Sequence, residues 1–564
     1  MRSFPFLFLP SLLASATLCA CGGSDRPIAR LSPASAGTLS QCSTLVASFG
    51  FANTILTAAT DVAAGTLTVA GQPVPAHCLV TGTMNARTGT NGSYAIGFEL
   101  RLPVAWNGRF YYQANGGLDG AVVTALGGLG GGPLTGALLQ GFAVLSSDAG
   151  HSNAQNAPGA ANFGNDPQAR LDYGYQAVGT LTPMAKQLVQ ASYGRAPDRA
   201  YIGGCSNGGR HTMVAAARDA EQYDGYLVGD PGFHLPRAAI ANIAGYQQYL
   251  TLASTSGDAS TGFSQAERAL VSNAVLARCD ALDGATDGLV QDVAACRGAF
   301  SLDRDVPTCA GTRDGTCLSS EQKAVIEQLF AGAKAGDGSL VYAAWPYDAG
   351  LATNGWASWK FSAPATRDSV AVGQVWQAPP EDAATFVPTT FAATGSIDQM
   401  LARVMATTAV FTESAWHFMV PPNETELSTL KYRGAKMLVY HGASDPIFSH
   451  DDTLNWYQAL AKANGGDASD FARFYSVPGM NHCSGGPATD QFDMLSQLVA
   501  WVEQGQAPGA ITATARGPGN AGGVNADVPA TWSATRTRPL CPSPQVARYQ
   551  GSGSLDDAAN FSCQ

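Results

Sequence analysis

Arg199-Ala200-Tyr201-Ile202-Gly203-Gly204-Cys205-Ser206-Asn207-Gly208-Gly209-Arg210-His211 runs from an apolar strand pattern through a glycine-rich turn, and the alanine-rich Met213-Val214-Ala215-Ala216-Ala217 follows. Gly204-x-Ser206-x-Gly208 between a strand and a helix reads as a nucleophile elbow. There the serine sits on a strained turn, and the flanking glycines let strand and helix approach closely. The bland alternative is a serine in an ordinary glycine-rich loop; the strand before it and the helix after it favour the elbow.

Working outward, residues 108–113 and 141–146 are apolar runs that lead into Asn115-Gly116-Gly117 and Ser147-Asp148-Ala149-Gly150-His151, both read as loops at the C-terminal edge of a sheet. Residues 173–192 carry apolar side chains at helical spacing. Strand, helix, elbow strand and helix in alternation predict a parallel α/β sheet. Residues 66–69 and 94–100 read as further strands before it. The alternation resumes with a buried-type strand at 435–442, a helix at 452–463 and a last strand at 471–477. Between lies a stretch without that alternation, holding five of the nine tryptophans. The expected division is therefore a catalytic α/β-hydrolase domain from 40–232 and 431–564, with a lid domain inserted at 233–430.

A serine nucleophile needs a base, and the base needs an orienting acid; in this fold they follow in the order serine, acid, histidine. Among the histidines after Ser206, only His482 sits in a loop directly after the last sheet strand. Asp445, in His441-Gly442-Ala443-Ser444-Asp445-Pro446, ends the strand before it, and Asp451 and Asp452 are weaker alternatives. The expected catalytic set is Ser206, Asp445 and His482. Oxyanion donors are expected from the amide of Asn207 and from the loop carrying Gly116 and Gly117, with the choice between the two glycines left open.

Twelve cysteines in a chain with a leader-like start point to disulfides. Setting aside Cys19 and Cys21, spacing suggests Cys42 with Cys78, Cys279 with Cys296, Cys309 with Cys317, and Cys541 with Cys563. Cys205 and Cys483 remain, flanking the nucleophile and the base. Cys279-Asp280-Ala281-Leu282-Asp283-Gly284-Ala285-Thr286-Asp287-Gly288-Leu289 packs three carboxylates among glycines. Hard oxygen ligands suit calcium. Side chains of Asp280, Asp283 and Asp287 with the carbonyls of Ala285 and Leu289 would form the set; an acidic surface loop is the alternative.

Residues 1–21 have the layout of a secretory leader, too short to span a membrane, and 22–39 read as a Ser-, Ala- and Pro-rich tether. Leu18-Cys19-Ala20-Cys21 fits two readings: an ordinary cleavage site, or a bacterial lipoprotein site with Cys21 as the lipid-bearing residue. Export is expected in either case, to the periplasm, a lipid-anchored outer-membrane location or the medium. The net charge of −11 and the lack of a basic run disfavour nucleic acid as a partner.

Cys205-Ser206, Asp445 and His482-Cys483 together resemble the hallmark of the tannase and feruloyl esterase family of α/β hydrolases. The resemblance extends over Trp106-Asn107-Gly108-Arg109-Phe110, Asn115-Gly116-Gly117, the 147–151 segment, the 279–289 loop and Arg538-Pro539-Leu540-Cys541. It implies a serine esterase for esters of aromatic acids, with a lid that holds structural calcium and no redox cofactor. Hydrolases of mono(2-hydroxyethyl) terephthalate look like the same family and supply the alternative substrate class. This chain departs from many members in carrying Asn207 in place of threonine, and His211-Thr212 after Arg210. Trp356, Trp359, Phe361, Trp376, Phe386, Trp416 and Phe418 are candidates for an aromatic pocket or for the lid's own core. Arg367 and Arg403 are candidates to meet a substrate carboxylate or to lie at the surface. Two rival readings are a serine peptidase and a non-catalytic binding lipoprotein.

Overall fold

The computed structural model describes Met1 and residues 27–128, 130–155 and 161–564. The expected leader at 2–21, Cys21 and the tether as far as residue 26 lie outside the described residues. Nine strands form the main sheet: β1 (Thr54–Val62), β2 (His77–Gly89), β3 (Gly92–Pro103), β4 (Arg109–Gln113), β5 (Ala143–Ser147), β6 (Arg199–Cys205), β7 (Gly225–Gly229), β8 (Lys436–Gly442) and β9 (Ala472–Val477). Their order across the sheet is β9-β8-β7-β6-β4-β5-β3-β2-β1. The six strands from β9 to β5 are parallel, and β3, β2 and β1 are attached antiparallel.

The parallel strands are short and mostly buried, β5 and β7 at every residue, because helices cover both faces. Successive residues point to opposite faces. Ile202, Val228, Val439 and Phe474 pack beneath α1 (Ala177–Tyr193) and α2 (Asn207–Arg218), whose Leu181, Leu188 and Met213 join the same core. Tyr201, Leu227, Leu438 and Tyr475 face the other way, onto Leu495, Leu498 and Trp501 of α7 (Met494–Gln504). The expected strands at 108–113, 141–146, 435–442 and 471–477 and the helix at 173–192 correspond closely to β4, β5, β8, β9 and α1. The stretch at 66–69 is reduced to the edge of a two-residue hairpin, Thr68–Val69 against Gln72–Pro73. β7 was not anticipated: Gly-Tyr-Leu-Val-Gly is too short to show a period, and burial on both faces removes the alternation that would have marked it.

No residue between β7 and β8 joins the nine-stranded sheet among the described residues. That insertion is helical, with α3 (Leu235–Thr251), α4 (Gln265–Cys279) and α5 (Ser320–Phe330) as its longer elements. α3 lies between two cores: Ile240 and Ile243 pack with Trp376, Phe418 and Met419, while Tyr246 and Tyr249 pack with Phe263, Ile326, Trp356 and Phe361. Two π-helical turns, Ser358–Ser362 and Pro364–Asp368, present Trp359 and Arg367 toward the top of the sheet. Helix α6 (His450–Ala463) follows β8.

Candidate active site

Ser206 lies between β6 and α2 with φ 68° and ψ −128°, a conformation that side-chain-bearing residues rarely adopt. A Cβ on Gly204 or Gly208 would run into the Ala114 carbonyl, so glycine at both positions is what lets the elbow close. The Ser206 amide donates to the Gly229 carbonyl at 3.0 Å, fixing the turn against the end of β7. Ser206 retains 8% exposure, enough to be reached from the sheet edge.

His482 follows β9 and Asp445 follows β8, so three strand ends converge. His482 Nδ1 lies 2.7 Å from Asp445 Oδ2. Asp445 Oδ1 accepts the amides of Ile447 at 2.8 Å and Phe448 at 3.2 Å, which orients the carboxylate. Burial alone would raise the Asp445 carboxyl, but the charges and hydrogen bonds of His482 and His441 outweigh it and hold it below the ordinary carboxylate range. An ionised acid on Nδ1 leaves Nε2 of His482 as the proton acceptor. The weaker alternatives are used elsewhere: Asp451 pairs with Arg297, and Asp452 with His234.

Cys205 and Cys483 are bridged, with Cα atoms 5.9 Å apart, so the chain neighbours of Ser206 and His482 are tied across 278 residues of sequence. Cys42–Cys78, Cys279–Cys296, Cys309–Cys317 and Cys541–Cys563 are bridged as well. Five disulfides are consistent with an exported protein.

The loop at 115–117 lies beside the nucleophile: a Cβ at Gly116 would stand 3.8 Å from the Cys205 carbonyl oxygen and 4.0 Å from Ser206 Cβ. Gly117 has φ 71°. Asn115 anchors the loop by donating to the Ser147 carbonyl at 2.7 Å, which gives the 147–151 segment its structural use. Asn207, first residue of α2, has an amide with no intrahelical partner. Its side chain donates to Asp119 Oδ2 at 2.9 Å, and His211 Nε2 lies 2.9 Å from the same oxygen. Asn207 and His211 thus meet in one buried contact on Asp119.

Of the seven aromatic candidates, Trp359 reaches the site, its ring edge-on to His482 at 5.6 Å. Trp356 and Phe361 are buried in one core of the insertion, Trp376 and Phe418 in the core it shares with Phe163, Tyr173 and Phe448, Phe386 packs on Phe391, and Trp416 stacks on His234. Phe448, not singled out from sequence, also meets His482 edge-on at 5.3 Å. The Arg367 guanidinium lies over the Trp359 ring at 4.6 Å, and one of its nitrogens is 3.5 Å from where a Gly117 Cβ would stand. Among the described residues it has no salt bridge. Arg403 instead pairs with Glu381.

In the 279–289 loop, Asp280 accepts the amides of Asp287 and Gly288, each at 2.9 Å, and Asp283 Oδ1 accepts that of Ala285 at 2.9 Å. Asp287 is held by Arg538, and its Oδ1 accepts the Leu289 amide at 3.2 Å. The three carboxylates are buried, and Asp283 Oδ2 has no hydrogen-bond partner among the described residues. They do not form a set of three donors within 4.8 Å of one another, whereas Asp230, His441 and Asp445 do, as do Cys205, Asp230 and Cys483. A buried, unpartnered carboxylate oxygen beside two further carboxylates is donor chemistry that fits a hard cation.

A strand-turn-helix serine, with a histidine and an aspartate at neighbouring strand ends, defines an α/β hydrolase. Comparison with known proteins narrows the class. Residues 78–564 match the family model described as tannase and feruloyl esterase, and the chain belongs to that family. It is a carboxylic ester hydrolase acting on aromatic esters. It is 40% identical over 539 residues to mono(2-hydroxyethyl) terephthalate hydrolase of Piscinibacter sakaiensis, covering 88% of this chain and 86% of that protein. It is 28% identical to a probable feruloyl esterase B-2 of Aspergillus flavus, over 75% and 78% of the two chains. The crystal structure of feruloyl esterase B from Aspergillus oryzae superposes with a TM-score of 0.73 at 24% identity, over 93% of this chain and 99% of that one.

Proposed function

We propose that the protein is an exported serine esterase whose preferred substrates are monoesters of aromatic acids, the terephthalate monoester type foremost. The hydrogen bond between His482 Nδ1 and Asp445 Oδ2, beside a disulfide that joins the neighbours of Ser206 and His482, carries this reading. His482 Nε2 takes the Ser206 hydroxyl proton as Oγ attacks the ester carbonyl, and Asp445 stabilises the imidazolium. The amide of Asn207 and one from Gly116 or Gly117 receive the developing oxyanion. Collapse gives the acyl-enzyme, with the imidazolium proton passing to the departing alcohol. A water deprotonated by His482 then attacks the acyl carbon, and the aromatic acid and Ser206 hydroxyl are restored.

Arg367 supports the substrate class. A guanidinium stacked on Trp359 beside the oxyanion loop, with no salt bridge among the described residues, suits an aromatic acyl group with a second, free carboxylate. The 40% identical relative is named as a hydrolase of such a monoester. Ferulate-type esters are the second class, favoured by the family model.

The insertion acts as a lid, and calcium in the 279–289 loop is proposed to be held by Asp280, Asp283 and Asp287 with the carbonyls of Ala285 and Leu289. When bound, calcium supplies charge neutralisation for buried carboxylates and no part of bond breaking. A leader at 1–21 directs export, and lipidation of Cys21 is the anchored variant of that reading.

A fluorophosphonate ester tests the mechanism. A single adduct on the peptide carrying Ser206, lost in Ser206→Ala, is expected by mass spectrometry. An unlabelled, folded wild type would overturn it.

A further inference from the structure

The Gly229-Asp230-Pro231-Gly232 segment at the end of β7 is not part of the catalytic set, yet it is hydrogen-bonded to Ser206 itself, to the strand that leads to Asp445 and to the residue after His482. Asp230 is fully buried, with φ 34°. Its Oδ1 accepts the Gly442 amide at 2.8 Å, at the end of the strand that leads to Asp445. Its Oδ2 accepts the amide of Cys483, the residue after the base. The Asp230 amide donates to the Tyr440 carbonyl at 3.0 Å, and the Gly232 amide to the Ser206 carbonyl at 3.3 Å. One carboxylate therefore fastens the acid strand and the base loop, on a turn that also holds the nucleophile.

The same carboxylate belongs to a charge cluster. Donor atoms of Asp230, His441 and Asp445 lie within 4.8 Å of one another. His441 is a second imidazole on the acid: its Nε2 is 3.4 Å from Asp445 Oδ2, the oxygen that also meets His482. His441 is fixed by the Phe448 carbonyl at 3.0 Å and Thr453 Oγ1 at 2.8 Å. The other titratable groups around the cluster are Tyr440 on β8, Tyr342 and Lys360 from the insertion, and His450 of α6, whose ring meets that of His441 edge-on at 6.1 Å.

We propose that Asp230 is a positioning residue of the esterase reaction, holding the His482 loop through the Cys483 amide and sharing with Asp445 the positive charge that the two imidazoles carry. This rests on the serine mechanism proposed above. Asp445 faces two imidazoles and would be outweighed when both are protonated; a second carboxylate restores the balance where Asp230, His441 and Asp445 are buried. Burial pushes the Asp230 carboxyl up to about 6, with Asp445 adding to the rise and His441 and His482 opposing it. Burial would lower His441, but Asp445 and Asp230 pull it above its ordinary value. The sign follows: removing the Asp230 charge disfavours imidazolium, so the acid limb of kcat/KM moves to lower pH while the plateau falls.

The test is the pH dependence of kcat/KM for Asp230→Asn and His441→Gln beside wild type, with melting temperature and the Cys205–Cys483 bridge checked in each. Asp230→Asn is expected to lose about tenfold or more in kcat, with little change in KM, and to shift the acid limb down by about half a pH unit. His441→Gln removes a cation from Asp445 and is expected to shift the limb upward. A folded Asp230→Asn with a lowered plateau and an unmoved limb would reduce Asp230 to a structural anchor. If that variant does not fold, an unmoved or lowered limb in His441→Gln overturns the shared-charge account. Fluorophosphonate labelling of Ser206 in wild type tells failure of this inference from failure of the serine mechanism.

Discussion

Arg367 lies over Trp359 and has no salt bridge among the described residues, whereas Arg403 is neutralised by Glu381. Arg367→Gln is expected to raise KM for a terephthalate monoester about 10-fold or more, the loss of a charge-assisted contact, while leaving a neutral aromatic methyl ester nearly unaffected. Steady-state kinetics on the two esters checks it, and equal losses on both would remove the carboxylate assignment. Only packing separates the two arginines, which the sequence offers as equals. Ser206, Asp445 and His482 were legible as individual residues because each ends a strand or opens a turn whose pattern is itself legible. Asp230 was not, because it follows β7, and β7 carries no period to announce it. Phe448 and Lys360 were hidden for a different reason: their approach to Asp445 comes from segments meeting in space, with no local pattern.

At the scale of elements, the elbow, its flanking strand and helix, and the two strands that end in acid and base were readable from apolar runs and turn residues. The insertion was readable only as a break in alternation; its helices are short, and its two cores draw on residues from Leu235 to Met419 and, outside it, on Tyr94, Phe163, Tyr173 and Phe448. The Cys205–Cys483 bridge belongs to this scale, because it joins the ends of β6 and the loop after β9 across the whole insertion. Closing a loop of that length constrains the unfolded chain by on the order of 5 kcal/mol. Replacing both cysteines with serine is expected to lower the melting temperature and to lower kcat more than secreted yield. Activity and yield measured side by side decide the point; an unchanged kcat in a folded variant would mean that hydrogen bonds alone keep the triad in register.

For the whole molecule, the parallel α/β sheet was legible because alternating strands and helices leave few architectures open. The joining of insertion and C-terminal segment was not, since it depends on Arg538 meeting Asp287 across 251 positions and Arg536 meeting the Asp287 carbonyl. That junction is where the proposed calcium would act. Burial lifts the Asp283 carboxyl to about 6, and Asp287 and Asp280 add to the rise against the Ala285 amide. A bound cation would relieve that cost. Chelation of the purified protein is therefore expected to lower its melting temperature by several degrees, with recovery on adding calcium and not magnesium. A melting temperature indifferent to chelator and calcium would return the loop to an acidic surface turn.

The central claim is that Ser206 cleaves esters of aromatic acids. The most direct measurement is hydrolysis by wild type and Ser206→Ala of mono(2-hydroxyethyl) terephthalate, methyl ferulate, methyl gallate and a short aliphatic ester. The account predicts highest kcat/KM on the terephthalate monoester, and loss of at least about 1000-fold in the variant on every ester cleaved. Cleavage of the aliphatic ester alone, or activity that survives the loss of Ser206, would contradict it.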